Sequence, residues 1–117
     1  MKYAHLIIGA FILCFSFISA QAQLINTSLT LTVRDDLGNT VSGAEVKLFE
    51  TEEDYLKEKN VVFSGVSDNK GVVKFKKLKA ISYFVIVRTE DKDNGGGGER
   101  IGALEEGKFN KATVIVQ

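Results

Sequence analysis

The stretch that decides the fold reads VRDDLGNTVSGAEVKL from Val33 to Leu48, and a related stretch reads SDNKGVVKF from Ser67 to Phe75. Each contains an Asp-x-x-Gly tetrapeptide, which is typical of a tight turn because aspartate favours turns and glycine adopts positive φ without steric cost. Apolar and polar residues alternate after each turn, and a period of two is typical of a half-buried strand. Both stretches therefore predict a turn that leads into a strand.

Similar runs elsewhere in the chain complete the pattern. We predict seven strands, at residues 29–33, 44–48, 61–67, 72–75, 83–88, 100–104 and 111–116. The third and fourth of these flank the second turn, so we expect them to pair as a hairpin. The fifth has apolar residues on both faces, which is typical of a central strand. Seven short strands at this spacing predict an all-β fold, a seven-stranded antiparallel Greek-key sandwich.

One segment between the second and third strands breaks the alternation. Thr51 precedes Asp54 by three residues, which resembles a capping box, and the segment begins with acidic residues and ends with lysines. This order suits the dipole of a short helical insert over residues 51–59. We expect Tyr55 and Leu56 to form its buried side.

The first 22 residues are typical of a secretory signal peptide. Lys2 is followed by an apolar run from Leu6 to Ile18, and the small residues Ala20 and Ala22 then indicate cleavage after residue 22. The alternative is a membrane anchor, but a spanning helix needs about 20 apolar residues and this run is shorter. We therefore expect residues 23–117 to form one secreted or periplasmic domain, with no stable membrane anchor after signal removal.

Removal of this segment restricts the chemistry of the mature chain. The only cysteine, histidine and methionine lie within residues 1–22, and the protein contains no tryptophan or proline. Disulfides, Ser-His-Asp and Cys-His nucleophile systems, and zinc sites built from imidazole or thiolate are therefore excluded. Because Lys2 also leaves, 14 basic residues remain against 15 acidic ones, and this balance argues against a nucleic-acid binder. We expect no cofactor and no enzymatic activity.

The ordered combination of these motifs resembles a known domain family. It reads VxDxxGxxVxGAxVxL from Val33, SDxxGxVxFxxL from Ser67 and YxV from Tyr83. Over Leu29–Arg88 the chain is similar to the carboxypeptidase regulatory-like domain, a prealbumin-like (transthyretin-like) sandwich, and would be a stand-alone secreted bacterial member. The resemblance implies an accessory or docking module that is not itself a peptidase. The transthyretin-like hydrolases of purine breakdown rely on histidines, which the mature chain lacks.

Acidic residues are the remaining candidates for catalysis. The pair Asp35/Asp36 falls in a predicted turn, and the pair Glu52/Glu53 falls at a predicted helix start. Turns favour aspartate, and helix N-termini favour acids, so local structure explains both pairs. We therefore expect no catalytic role for either.

A polar loop with four consecutive glycines, Gly95–Gly98, is the one candidate metal site. Asp91, Asp93, Asn94 and Glu99 supply oxygen ligands, and calcium accepts irregular oxygen cages. The spacing of an EF-hand is not met, because glycine occupies the fifth position of the loop. The alternative, which the glycine content favours, is a flexible solvated loop.

Three apolar residues are candidates for a partner surface. Phe49, Phe84 and Ile86 fall on strand faces opposite the main core set. Exposed together, they would mark a partner or ligand surface. The alternative is that Tyr55 and Leu56 of the helical insert cover them, which a domain of this size favours because it needs the buried area.

A local basic cluster contains Lys74, Lys76, Lys77 and Lys79. Such a cluster suits an acidic polysaccharide or lipid headgroups. The alternative is a solvated edge strand, which lysines protect against unwanted pairing.

Taken together, these observations predict a secreted, non-enzymatic β-sandwich module that acts by binding or structural contact. Its expected partner is an unknown protein or glycan of the cell envelope. The alternative is a carbohydrate-binding module of the cell envelope. Sugar sites usually stack rings on exposed aromatics, and with no tryptophan the candidates are Phe49, Tyr55, Phe63 and Phe109.

Overall fold

A computed structural model describes residues 26–96 and 99–117 of the chain. The predicted signal peptide and its cleavage site lie outside these ranges, as do Gly97 and Gly98 of the glycine run. The described residues form seven strands and one helix: β1 Ser28–Asp35, β2 Glu45–Phe49, α1 Glu52–Lys57, β3 Phe63–Val66, β4 Val72–Phe75, β5 Tyr83–Arg88, β6 Arg100–Ile101 and β7 Phe109–Val116.

The strands form two sheets that pack face to face. One sheet has three strands in the order β4–β1–β7, and the other has four in the order β3–β2–β5–β6. The prediction of an all-β sandwich with one short helical insert is confirmed. One pairing differs from the expected antiparallel arrangement, because β1 and β7 run parallel from Ser28↔Phe109 to Asp35↔Val116. Strands β2 to β6 lie between β1 and β7 in sequence, so no tight turn joins the two strands and dictates an antiparallel direction.

The core lies between the sheets and consists of every second residue of the long strands. Leu29, Leu31 and Val33 of β1 are fully buried, and they face residues such as Val46 and Val85 of the second sheet. The buried ring of Tyr83 keeps its hydroxyl satisfied, since this oxygen accepts a hydrogen bond of 2.9 Å from the amide of Lys79. The strand β5 is covered on both faces, as its sequence predicts.

The predicted hairpin between the third and fourth strands is wrong. Strand β3 pairs with β2, whereas β4 pairs with β1 in the opposite sheet. The Ser67 side chain, directly after β3, holds the chain beside the start of β2. Its Oγ donates to Val41 O at 2.7 Å and accepts from Ala44 N at 2.9 Å. Four residues later, Gly71 O accepts a bond of 2.7 Å from Val33 N, which brings β4 beside β1.

Both Asp-x-x-Gly turns have the predicted chemistry. Asp35 Oδ1 accepts from the amides of Leu37 and Asn39, and Asp68 Oδ1 accepts from two amides in the same way. The two glycines have φ of 88° and 75°. Hydrogen bonds from backbone amides, Asn39 for Asp35 and Val72 for Asp68, lower the pKa of both carboxyls.

The helix α1 is shorter than the predicted segment. Thr51 Oγ1 accepts from Asp54 N at 3.1 Å, as the capping motif predicts. The helix ends because Glu58 adopts a left-handed conformation with φ of 48°. Six residues present only one face to the sheet, so Tyr55 is half-buried while Leu56 is 71% exposed. The prediction that Leu56 belongs to the buried side is wrong.

Candidate binding surfaces

The outer face of the four-stranded sheet carries the three apolar residues of the predicted partner surface. Phe49 is fully buried, Ile86 is 8% exposed and Phe84 is half-buried. The ring of Tyr55 covers them, stacking on Phe84 with centroids 5.8 Å apart and meeting Phe49 edge-on at 6.2 Å. Of the two alternatives, these contacts favour burial of the apolar residues beneath the helical insert over their joint exposure as a partner surface.

A shallow pocket of about 220 Å³ lies between α1, β5 and the glycine loop. One wall is the ion pair between Arg88 and Glu58, in which Arg88 Nη1 donates to Glu58 Oε2 at 2.6 Å. The hydrogen bond from Arg88 holds the pKa of the Glu58 carboxyl below its ordinary value and raises the pKa of Arg88. Burial raises the pKa of the Tyr55 hydroxyl on the opposite wall. The charged residues among the described lining are therefore the Arg88–Glu58 pair and Asp93.

The glycine loop holds its candidate calcium ligands in structural roles. Asn94 is 4% exposed, and its amide bridges two β5 backbone groups: Oδ1 accepts from Val87 N, and Nδ2 donates to Val85 O, both at 2.9 Å. Asp93 makes two backbone bonds with Gln117 at the end of the chain. The described part of the loop is therefore anchored to two strands, unlike the flexible solvated loop that its glycine content favours.

The other candidate ligands also bind within the loop. Asp93 Oδ1 accepts from Gly95 N, Glu99 Oε1 accepts from Gly96 N, and Asp91 Oδ1 accepts from Thr89 Oγ1. Across residues 26–96 and 99–117, no three carboxylate, histidine or cysteine side chains are close enough together to hold a metal ion. The calcium site stays a prediction that these contacts do not favour.

Neither acid pair lines the pocket beside α1 or the groove on the three-stranded sheet that is described below. Asp35 closes its turn, and its neighbour Asp36 is exposed. Glu53 pairs with Lys57 one turn along α1, with 3.0 Å between Oε1 and Nζ, while Glu52 is exposed in the first turn. Both positions therefore have the structural explanations that the sequence indicates.

The outer face of the three-stranded sheet carries a groove of about 410 Å³, here called the basic groove. Its lining includes Ser28 and Thr30 of β1 and Phe109 of β7, together with three lysines that follow one another closely, Lys74, Lys76 and Lys77. Phe109 is 81% exposed. In the part of the chain that the structure describes, no carboxylate lines this groove.

The basic cluster differs by two residues from the predicted one. Lys79 lies elsewhere, since its Nζ pairs with Glu50 Oε2 at 3.0 Å and this bond raises the pKa of the lysine. Lys111 replaces it on this face, because β7 places Lys111 beside Thr30 and β4 places Lys74 on the other side. Nothing local in the sequence indicates this addition, since Lys74 and Lys111 meet only through the order of the strands.

The four aromatic candidates for sugar stacking differ in their exposure and packing. Phe49 is buried, and Tyr55 stacks on Phe84 within the molecule. Phe63 packs against the core, edge-on to Phe75 at 6.1 Å and to Tyr83 at 6.4 Å. Phe109 is left with a free ring face.

Comparison with known proteins identifies the fold. No protein-family model and no curated protein matches the sequence. BcpA, the major pilin subunit of Bacillus cereus, is 19% identical, with a TM-score of 0.54 over 79% of this chain and 30% of that one. The Bacillus anthracis TIE protein is 17% identical, with a TM-score of 0.55 over 80% and 16%. The group B streptococcus pilus 2b backbone protein is 12% identical, with a TM-score of 0.51 over 78% and 40%.

These similarities establish a β-sandwich fold. The chain spans less than half the length of each of these proteins. The sandwich that the sequence resemblance implies is therefore confirmed, and the narrower family assignment is not. Among the described residues, α1 is the one helix, and it is too short to cross a membrane.

Proposed function

We propose that this protein is an extracytoplasmic, non-enzymatic β-sandwich module that works by contact with a component of the cell envelope. The observation that carries the proposal is the basic groove, in which free cations and an exposed aromatic ring line an open face of the sandwich. Surfaces of this kind bind partners through charge and apolar contact. They do not require a nucleophile or a general base.

The distribution of reactive side chains supports a contact role. The carboxylates that have lowered pKa values, Asp35, Asp68 and Glu58, accept hydrogen bonds within turns or from Arg88. Lowered values keep these groups ionised and poorly basic, which is the opposite of what a general base needs. Each therefore stabilises local structure.

The narrower assignment to the carboxypeptidase regulatory-like domain belongs to this proposal. It rests on the motif order from Val33 to Val85 and on the turn chemistry that these motifs adopt. Two of the similar folds come from pilus subunits, which supports a structural role. Export through a cleaved signal peptide, residues 1–22, completes the proposal.

The direct test is a binding assay on isolated cell envelopes. The chain is expressed with its own leader in a bacterial host, purified from the extracytoplasmic fraction and sedimented with envelopes of that host at increasing concentration. We expect saturable binding that an excess of unlabelled chain displaces. Urea-unfolded chain, diluted into the same assay, is the control for adhesion that needs no fold. Non-saturable sedimentation, or equal sedimentation of the unfolded control, would contradict the proposal.

The alternative of a neutral carbohydrate-binding module retains one observation. Phe109 is exposed beside the hydroxyls of Ser28 and Thr30, which is the combination that sugar recognition uses. One ring is a small stacking platform, because the other three aromatic candidates pack within the molecule. A glycan array read with the wild type and with Phe109→Ala tests it: we expect this substitution to abolish binding to neutral glycans, and no binding of the wild type to any of them would remove the alternative.

A further inference from the structure

The basic groove has a chemical character that defines its partner more closely. We propose that it binds an acidic polysaccharide laid across strands β4, β1 and β7. This inference deepens the proposed contact function and rests on it. Three features of the groove point to such a ligand, namely the placement of the lysines, the absence of ion pairs to them among the described residues, and the concave shape of the site.

The strand register spaces the lysines regularly on one face. Thr30 lies opposite Lys74 on one side and Lys111 on the other. Because neighbouring strands lie about 4.8 Å apart, the backbones of these lysines are separated by about 10 Å across the sheet. Lys76 follows the last residue of β4, at most about 7 Å along the chain from Lys74, and both lysines line the groove. The face therefore presents positive charge in two directions.

These lysines form no ion pair within the described part of the molecule, although the charge of Lys74 is one of the causes that lower the pKa of Asp68. The ion pairs there involve other basic residues, namely Lys47, Lys57, Lys79, Arg88 and Lys108. Lys74, Lys76, Lys77 and Lys111 are exposed, and the groove that the first three line contains no carboxylate. Like charges collected in this way repel one another, and an anionic ligand removes that repulsion.

The backbone at the edge of the groove is also unusual. Lys77 has φ of 60°, a left-handed conformation that is unfavourable for a residue with a Cβ atom. Leu78 follows at once and donates its amide to Thr27 O at 3.0 Å, which holds this corner against the start of β1. The chain therefore keeps a lysine at a position that glycine would occupy with less strain.

The shape of the site favours a polymer over a membrane surface. The hydroxyl-bearing residues Ser28 and Thr30 lie within the groove between the lysines, where a single extended chain can reach them and a flat bilayer cannot. Phe109 is the one large, strongly exposed apolar residue of this face, and reversible membrane binding usually needs more than one such anchor.

The spacing of the charges also suits a polysaccharide. In a polymer with a carboxylate on alternate sugars, the negative charges repeat at about the length of a disaccharide. That length is comparable with the separation of Lys74 and Lys111 across Thr30. A sugar ring over Phe109 would then place neighbouring carboxylates near the lysines, and the two hydroxyls are available for hydrogen bonds to the sugar.

The test is a set of titrations of the purified chain at low and at physiological salt. The probes are hyaluronan, polygalacturonate, neutral dextran, and vesicles of phosphatidylglycerol with phosphatidylcholine. We expect the acidic polymers to bind with an affinity that falls as salt rises, and dextran to bind at least tenfold more weakly. Binding to the vesicles that is tighter than to both acidic polymers would overturn the proposal in favour of a membrane surface.

Matched variants separate this site from general charge. Lys74→Gln with Lys111→Gln removes two charges from the groove face, and we expect roughly a 25-fold loss of affinity, from about fivefold for each lysine. Lys57→Gln with Lys59→Gln removes the same charge at the helix, and we expect less than a twofold change. Lys77→Gly removes a charge while permitting the observed φ, so its loss of affinity cannot reflect misfolding. Equal losses in the two double variants would overturn the proposal.

The two levels of inference fail in different ways. Saturable binding to cell envelopes together with no binding to either acidic polymer would overturn the polysaccharide partner and leave the contact function standing. Failure of both assays would overturn both. Polymer binding that Phe109→Ala leaves unchanged would remove the aromatic ring from the site and leave the charge argument intact.

Discussion

The outer faces of the two sheets differ in what covers them. The four-stranded sheet turns Phe49, Phe84 and Ile86 outward, and the Tyr55 ring of α1 packs on them. The three-stranded sheet turns serine, threonine and lysine side chains outward at the basic groove, and no element formed by residues 26–96 and 99–117 covers it there. An apolar face must be covered for the molecule to remain soluble, whereas a polar, cationic face is stable in water and stays open to a partner.

This difference separates a face that contributes to stability from the face to which we assign the proposed binding. The segment between β2 and β3 serves stability, because it completes the packing of one sheet. The variation that can serve recognition lies on the other sheet, where a substitution changes charge without opening the core. Predictions that compare equivalent changes on the two faces test this division.

The largest expected effect comes from truncating one phenylalanine on each face. Phe49→Ala removes a fully buried ring and should lower the free energy of unfolding by about 3–5 kcal/mol. Phe109→Ala removes an exposed ring and should change it by no more than about 0.5 kcal/mol. Equilibrium urea denaturation of both variants measures the difference. Similar losses in the two would break the comparison, and Phe49→Leu provides a milder variant if the alanine variant does not fold.

The second effect concerns the turns that lead into the strands. Gly71 precedes β4, and a Cβ there would lie 2.8 Å from Val33 O and 2.9 Å from Thr40 Cβ, at φ of 75°. Gly71→Ala should therefore cost about 2–5 kcal/mol, from about 1–2 for the left-handed backbone and about 1–3 for the displaced neighbours.

The matched control for this substitution is the other turn. Gly38 has φ of 88° but no atom within 4 Å of an added Cβ, so Gly38→Ala should cost only about 1–2 kcal/mol. The same urea titrations compare the two. A larger loss at Gly38 than at Gly71 would show that the close approach of β1 and β4 does not limit this corner.

A smaller effect is expected at the helix that covers the first face. Thr51→Ala removes the oxygen that accepts from Asp54 N, and this should cost about 0.5–2 kcal/mol. Thr51→Ser keeps the oxygen and should retain most of that stability. Affinity at the basic groove should remain within twofold of the wild type in both, because α1 lies on the other sheet. A loss of groove binding in the alanine variant alone would mean that the two faces are coupled.

The smallest expected effect at neutral pH concerns three carboxyl groups, and it becomes measurable when the pH is lowered. Backbone hydrogen bonds lower the pKa of Asp35 and Asp68, and the Arg88 hydrogen bond lowers that of Glu58. A carboxyl with a lowered folded-state pKa contributes stability above its unfolded pKa and loses it as the pH falls through the folded value. The free energy of unfolding should therefore be level above about pH 5 and fall progressively below about pH 4.

Urea titrations at several pH values across that window measure the fall. The double variant Asp35→Asn with Asp68→Asn keeps acceptor oxygens in both turns and removes their titration, so its profile should be flatter. A decline as steep as that of the wild type would mean that other groups govern the acid response.

Local patterns predicted most of the elements, because each depends on residues close in sequence. Alternation identified the strands, and Asp35 with Gly38 and Thr51 with Asp54 identified a turn and a helix cap that form as expected. Which sheet each strand joins depends instead on contacts between residues that are distant in sequence. The pairing of β4 with β1 depends on the bond from Val33 N to Gly71 O, between residues 38 positions apart, so an apparent hairpin became a crossing between sheets.

The residues predicted to form binding surfaces differ from the observed ones for the same reason. Lys111 joins the basic face only because β7 lies next to β1, and Lys79 leaves it because Glu50 of the other sheet is within reach. Asn94 looked like a ligand because its loop is polar, yet its amide continues the hydrogen bonding of β5. A side-chain amide can bind a cation or hydrogen-bond to the backbone of a strand, and the residues around it in the fold determine which.

The parallel pairing of β1 and β7 has a mechanical consequence. The chain enters β1 at Ser28, beside Phe109, and leaves β7 at Val116, beside Asp35, so the two exits lie at opposite ends of one ladder. A force applied between Ser28 and Val116 would pull these strands past each other along their length. All the bonds from Ser28↔Phe109 to Asp35↔Val116 then share the load at once, whereas a hairpin pulled from its open end would lose its bonds one at a time.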